Sequence, residues 1–229
     1  MRSGNSFVDH IFMLIEPAEV TGVVQTLSRF GLTESSRRSH PGLGTSNLFF
    51  CFDNIFLEIL WIANRVEAGG TQLGRMLIER LDGRTNGTAP FGIGFRTLES
   101  TDSVPFATWS FEPPAALAFK PIPIALSSLD NSQPLLFRAQ RASRPDAWTD
   151  GKAGMRQTPA GISEVTAVRF TPPANVEPAG DLRMLQSLDV IALGESSGGP
   201  RMTFTLLHGA SGKTRELVLA SPMLTGDER

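Results

Sequence analysis

The chain has 229 residues, with 21 basic and 23 acidic side chains, three histidines, one cysteine and no tyrosine. At 41% hydrophobic and 19% charged residues it can bury a core, which excludes disorder as its main state. A net charge of −2 gives no general attraction to nucleic acid or anionic lipid, and the lone Cys51 excludes an internal disulfide or a CxxC zinc or redox pair.

The first six residues lack signal-peptide features. The longest apolar stretch, Ile55 to Ala63, is interrupted by Glu58 and is far short of a membrane span. A soluble, cytoplasmic protein is expected. Phe7 to Ile15 (FVDHIFMLI) reads as a strand. Pro17 then opens a helix to Phe30, with Val20, Val23, Val24, Leu27 and Phe30 on one face and Gly31 as its stop. A strand near Leu32–Arg38 follows. Leu48–Phe52 and Ile55–Ile62, separated by Asp53-Asn54, predict a tight hairpin. The opening is therefore β-α-β-β-β.

Gly74–Leu81 reads as a helix and Phe91–Leu98 as a strand. Short strands are expected at Thr108–Phe111, Leu117–Leu126 and Leu135–Ala139. Residues 141–160 form a long loop of the kind that covers something. Ile162–Phe170, a helix near Asp181–Gln186, and strands at Leu188–Leu193, Met202–Leu207 and Arg215–Ala220 repeat the opening order. The expected fold is α+β: two βαβββ modules with curved mixed sheets enclosing a cavity, at residues 1–66 and 161–229. A β-rich middle segment, 67–160, joins them into one compact unit.

Polar residues inside apolar strands mark the candidate site. In the first strand, alternation places His10 with Val8 and Phe12, and Asp9 on the opposite face. Glu58 lies within FLEILWI, where a carboxylate needs a partner, solvent or a metal. A two-residue hairpin turn pairs Phe49 with Glu58 and Asn47 with Leu60. Asn47, Phe49, Cys51, Phe56, Glu58 and Leu60 then share one surface, the make-up of a ligand cavity, with Trp61 on the other face. Overlaying the first and last thirds sets His10 against Glu164 and Glu58 against Glu216. This offers His10, Glu58, Glu164 and Glu216 as ligands for a divalent cation such as Mn, Fe, Ni or Zn.

The segments FVDHIFMLI, SHPGLGTSN and FLEILWI resemble the glyoxalase-like group of the vicinal oxygen chelate superfamily. The likeness spans residues 7–62; residues 162–220 share mainly the element order. It implies paired βαβββ modules around a cavity. In metal-using members the ligands come from the first and last strand of each module, which maps onto the same four residues.

Three functions follow as expectations. The first is a metal-dependent lyase, isomerase or dioxygenase acting on a small oxygen-chelating substrate, with His40 or Glu58 moving the proton. The second is a metal-free small-molecule-binding or drug-sequestering protein. Its pocket would use Phe12, Phe49, Phe56 and Trp61, with Asn47 and Glu58 as polar anchors. The third is a subunit module with a vestigial cavity. A homodimer is an open option in each case. Cys51 is expected to act as a small apolar residue, His208 as a turn residue, and Arg37, Arg38, Arg141 and Arg144 as surface residues, with an anion contact at the cavity mouth as the alternative for the arginines.

Overall fold

The computed structural model describes residues 6–97, 104–117, 119–140, 143–196 and 198–220. Leu98, Ala118 and Arg141, which the sequence places in two strands and a basic loop, lie outside the described residues, as do both chain ends.

β1 (Ser6–Ile15) leads through a tight 3-10 turn at Pro17–Glu19 into α1 (Val20–Phe30). Pro17 suits that start because its fixed φ is already helical. α1 turns Val23 and Leu27 into the core and ends at Gly31, whose φ of 104° closes the helix in the left-handed region. Leu32 donates its backbone N–H to Leu27, which keeps it at the helix end. β2 (Ser36–His40) therefore starts later than the expected Leu32. β3 (Thr45–Cys51) and β4 (Phe56–Ile62) pair in the expected hairpin register, Phe49 opposite Glu58 and Asn47 opposite Leu60.

Two helices follow, α2 (Arg65–Gly69) and α3 (Gln72–Asp82), whose first-turn N–H groups donate to the capping side chains of Asn64 and Thr71. Sequence periodicity shows only the second, because α2 is too short to display a period. α3 is fixed through Arg80, whose side chain is fully buried. Its guanidinium donates only to main-chain carbonyls: Ala89 at 3.2 Å, Asn131 at 3.3 Å, and Gln133 and Ser128 at 2.5 Å. Burial pushes this group down to about 10.

β5 (Phe91–Thr97), β6 (Thr108–Phe111), β7 (Ile122–Ala125) and β8 (Leu135–Arg138) complete an eight-stranded sheet in the order β2-β3-β4-β1-β5-β8-β7-β6. β1 runs parallel to β4 and antiparallel to β5, and β5 runs parallel to β8. The last third contributes β9 (Ile162–Thr171), α4 (Gly180–Ser187), β10 (Ala192–Leu193), β11 (Arg201–His208) and β12 (Thr214–Ala220). These strands form a separate sheet in the order β10-β9-β11-β12. The protein is a mixed α+β fold with sheets of eight and four strands.

The sheet of the first unit is thus extended by strands from the expected middle segment, and not by residues 161–229. The last third does repeat the order β-α-β-β-β, but its pairing differs. β9 lies between β10 and β11, both of them strands of its own unit, whereas β1 lies between β4 and β5. Element order carries no information about partners, so the sequence overlay aligned strands in unlike positions. The hairpin turn joins the two sheets: Asn54 exchanges two hydrogen bonds with the Val165 backbone, and Asp53 N–H donates to Ser163 O. A single core holds Leu48, Leu57 and Phe91 from one sheet with Val168, Phe204 and Leu219 from the other. Among the described residues, no helix is long and apolar enough to cross a membrane.

Between β2 and β3 the chain turns through Gly42 and Gly44, with φ of 83° and 67°. The Gly44 carbonyl accepts from the N–H groups of Ala63 and Asn64. A Cβ at Gly44 would lie 2.4 Å from the Asn64 carbonyl oxygen and 2.5 Å from Ala68 N. Both its conformation and its space require glycine. Gly44→Ala is expected to destabilise the protein by at least about 1–2 kcal/mol. Gly22→Ala, in α1 with nothing within 4 Å of the added carbon, should stabilise it by about 0.5–1 kcal/mol. Urea unfolding of the two variants beside the parent reads both.

Candidate functional site

Alternation along the strands sorts the sheet into two faces. Leu48, Phe50, Leu57 and Ile59 enter the common core, while Asn47, Phe49, Phe56, Glu58 and Leu60 face a cavity of about 220 Å³. The second half of the sheet closes it with Ile124, Leu135 and Phe137, and α3 adds Leu73 and Leu77. Aromatic rings dominate its polar end. Phe56 stacks on the His10 ring at 4.4 Å with 9° between planes, Phe137 meets His10 edge-on at 5.1 Å, and Phe49 meets Phe56 edge-on at 5.1 Å.

Trp148, from the long loop, also borders the cavity and meets Phe56 edge-on at 5.6 Å. Its loop is fastened at both ends, by Arg144 to Glu164 at 2.6 Å and by Arg156 to Asp53 at 2.7 Å. The sequence marks this loop as a cover but does not single out Trp148. Trp61 instead packs on the core side of β4, opposite to Glu58. Cys51 sits buried with Phe49 and Phe56, and burial pushes its thiol up to about 11.

The polar cluster depends on a bulge in β1. Val8 faces Phe95 and His10 faces Gly94, leaving Asp9 as an extra residue. A bulge re-aims side chains, and Asp9 and His10 both border the cavity, against the alternation expected from sequence. Asp9 is 3% exposed and pairs with the buried Arg96 at 3.1 Å. Its other oxygen lies 2.7 Å from His10 Nδ1. A carboxylate paired with Arg96 accepts, so Nδ1 carries a hydrogen and, in the neutral ring, Nε2 presents its lone pair. Nε2 lies 3.6 Å from Glu58 Oε2. Gly92 and Gly94 make room for these rings: a Cβ at Gly94 would lie 2.7 Å from the His10 ring.

On the hairpin side, Asn47 Nδ2 donates to Glu58 Oε1 at 2.5 Å and to His40 Nε2 at 3.4 Å. His40 Nε2 is thereby an acceptor, and Nδ1 donates to Thr45 Oγ1 at 2.8 Å. Both ring nitrogens have protein partners, and His40 orients Asn47. Asn47 Oδ1 is buried with no partner.

The structure brings His10, His40, Asn47, Phe49, Phe56 and Glu58 to one cavity. It does not bring Glu164 or Glu216 there. Glu164 lies on β9 in the other sheet, paired with Arg144. Glu216 on β12 is 55% exposed, 4.0 Å from Arg169. The cavity positions of β5 and β8 opposite His10 and Glu58 carry Gly92, Gly94, Leu135 and Phe137, with no ligating atom. Among the described residues, no group of three or more His, Cys, Asp or Glu is placed to hold a metal ion. Two convergent donors do not fit the three or four protein ligands of a resident divalent cation. His208 closes β11 at a turn, as expected.

No protein-family model matches the chain, and no curated protein matches it. Among solved structures it is similar to a hypothetical protein from Staphylococcus aureus, with TM-score 0.47 and 11% identity over 92% of this chain and 84% of that one. It is also similar to a mutant of 4-hydroxymandelate synthase from Streptomyces coelicolor, with TM-score 0.39 and 10% identity over 94% of this chain and 63% of that one. Likeness at this level assigns no function.

Burial lowers the pKa of His40, outweighing the opposing pull of Glu58. The unfolded chain then takes up this proton at higher pH than the folded chain. The stabilising contribution is complete above the ordinary histidine value of about 6.5 and is lost as pH falls below it. His40→Gln is expected to flatten the fall in unfolding free energy between neutral pH and mildly acidic pH, read by urea titrations across that range.

Proposed function

We propose that this chain binds a small organic molecule with a mainly apolar body in the cavity of the eight-stranded sheet, without a resident metal. The observation that supports the reading is the make-up of the wall: a largely aromatic and aliphatic enclosure with one compact polar cluster. That is the usual composition of a small-molecule site. The asymmetry matters. The cluster of Asp9, His10, His40, Asn47 and Glu58 belongs to the β1–β4 half of the sheet, while the other half supplies mainly shape, with Arg138 and Gln140 also lining the cavity.

A metal-dependent enzyme is the second reading, and one observation favours it. His10 Nε2 and Glu58 Oε2 converge while Asp9 holds the other ring nitrogen, an arrangement that also orients histidine ligands of metals. The missing donors on β5 and β8 weigh against it.

One experiment separates the two. Protein purified without an affinity tag and dialysed against a chelator is screened with a library of small apolar compounds by tryptophan fluorescence and thermal shift. Binding is expected to persist after chelation. The fluorescence response should be lost in Trp148→Phe, although Trp61 and Trp109 remain. Near-stoichiometric metal in the untreated protein, lost in both His10→Ala and Glu58→Gln, would overturn the proposal in favour of the second reading.

A further inference from the structure

The polar cluster has a direction: with His10 as a neutral ring, it turns acceptors toward the cavity. Asn47 commits both Nδ2 hydrogens, to Glu58 and to His40, and leaves Oδ1 buried without a partner at a residue 2% exposed. Glu58, 7% exposed, has one oxygen bonded to Asn47 and the other at 3.6 Å from His10 Nε2. In the neutral ring, with the Nδ1 hydrogen donated to Asp9, Nε2 is itself an acceptor. Glu58 Oε2 and His10 Nε2 therefore stand together, while Asn47 Oδ1 is shut off from solvent.

The charges point the same way. Arg96 and Asp9 neutralise each other. The Glu58 carboxylate is then buried with only an amide donor, a costly arrangement until a donor or cation reaches it. Around it stand the rings of Phe49, Phe56, Phe137 and Trp148, whose faces attract cations.

We infer that the ligand enters with a primary ammonium group foremost, on an apolar and preferably aromatic body. A primary ammonium has N–H donors for Glu58 Oε2 and the neutral His10 ring, and the positive charge that balances the Glu58 carboxylate. Arg38 and Arg138 border the same cavity and raise its positive potential. The preference for an amine therefore depends on contact with Glu58. This inference rests on the proposed small-molecule reading and names the ligand class for it.

The test is a shape-matched series with four head groups, naphthylmethylamine, naphthylmethanol, naphthoate and methylnaphthalene, titrated by calorimetry into the chelator-treated chain. The amine is expected to bind about tenfold or more tightly than the alcohol, the scale of one charge-assisted hydrogen bond, and the carboxylate most weakly. In Glu58→Gln, which keeps an acceptor for Asn47, the advantage of the amine should fall to within about threefold of the alcohol. If the alcohol, the carboxylate or the plain hydrocarbon binds as tightly as the amine, the inference is overturned while the small-molecule reading stands. If no member of the series binds and the broader apolar screen is also silent, the small-molecule reading fails and the inference falls with it.

Discussion

One extra residue in β1 sets the chemistry of the cavity. Without the bulge between Val8 and His10, strict alternation would point Asp9 and His10 to opposite faces. With it, Asp9 reaches both Arg96 and His10 on the buried side. The Arg96 pair fixes Asp9 as an acceptor, Asp9 fixes the histidine tautomer, and the tautomer decides what Nε2 offers to Glu58. The bulge lies on the β1–β5 seam, where the two halves of the sheet meet. The same backbone irregularity thus sits at the centre of the sheet and at the polar end of the cavity.

A second constraint comes from the hairpin side. The Gly42 and Gly44 turn brings His40 back beside Thr45, and the glycines are needed because Pro114, Asn64 and Ala68 crowd the loop. His40 then holds Asn47, and Asn47 holds Glu58. The polar residues of the SHPGLGTSN segment act mainly on one another. This explains how a carboxylate can stand among aromatic rings with a fixed orientation.

Much of this site was legible in the sequence, for a local reason. A two-residue turn fixes hairpin register, and register fixes which side chains share a face, so Asn47, Phe49, Phe56 and Glu58 could be grouped from spacing alone. His10 stood out because a histidine in FVDHIFMLI needs explaining. What sequence did not show was nonlocal. Phe137 comes from β8, whose partner β5 is far away in the chain, and Trp148 comes from a loop without periodicity. The bulge left no mark in the residue pattern, so Asp9 was set on the wrong face. The last third reproduced an order of elements but not a set of partners, and the metal ligands drawn from it, Glu164 and Glu216, lie on the other sheet.

Arg80 has a quieter consequence for how the wall of the cavity is maintained. Its charge is balanced by carbonyl dipoles of four residues and by no carboxylate within hydrogen-bond reach. Through this residue the position of α3, and with it Leu73 and Leu77, is referenced to the path of the main chain. The side chains of Ser128 and Gln133 hold that path in turn: Ser128 Oγ accepts from Leu136 N–H, and Gln133 donates to Glu177 O and accepts from Ala179 N–H. A lysine at position 80 could not hold that reference, since one ammonium has three donors and cannot span the planar fork that reaches all four carbonyls.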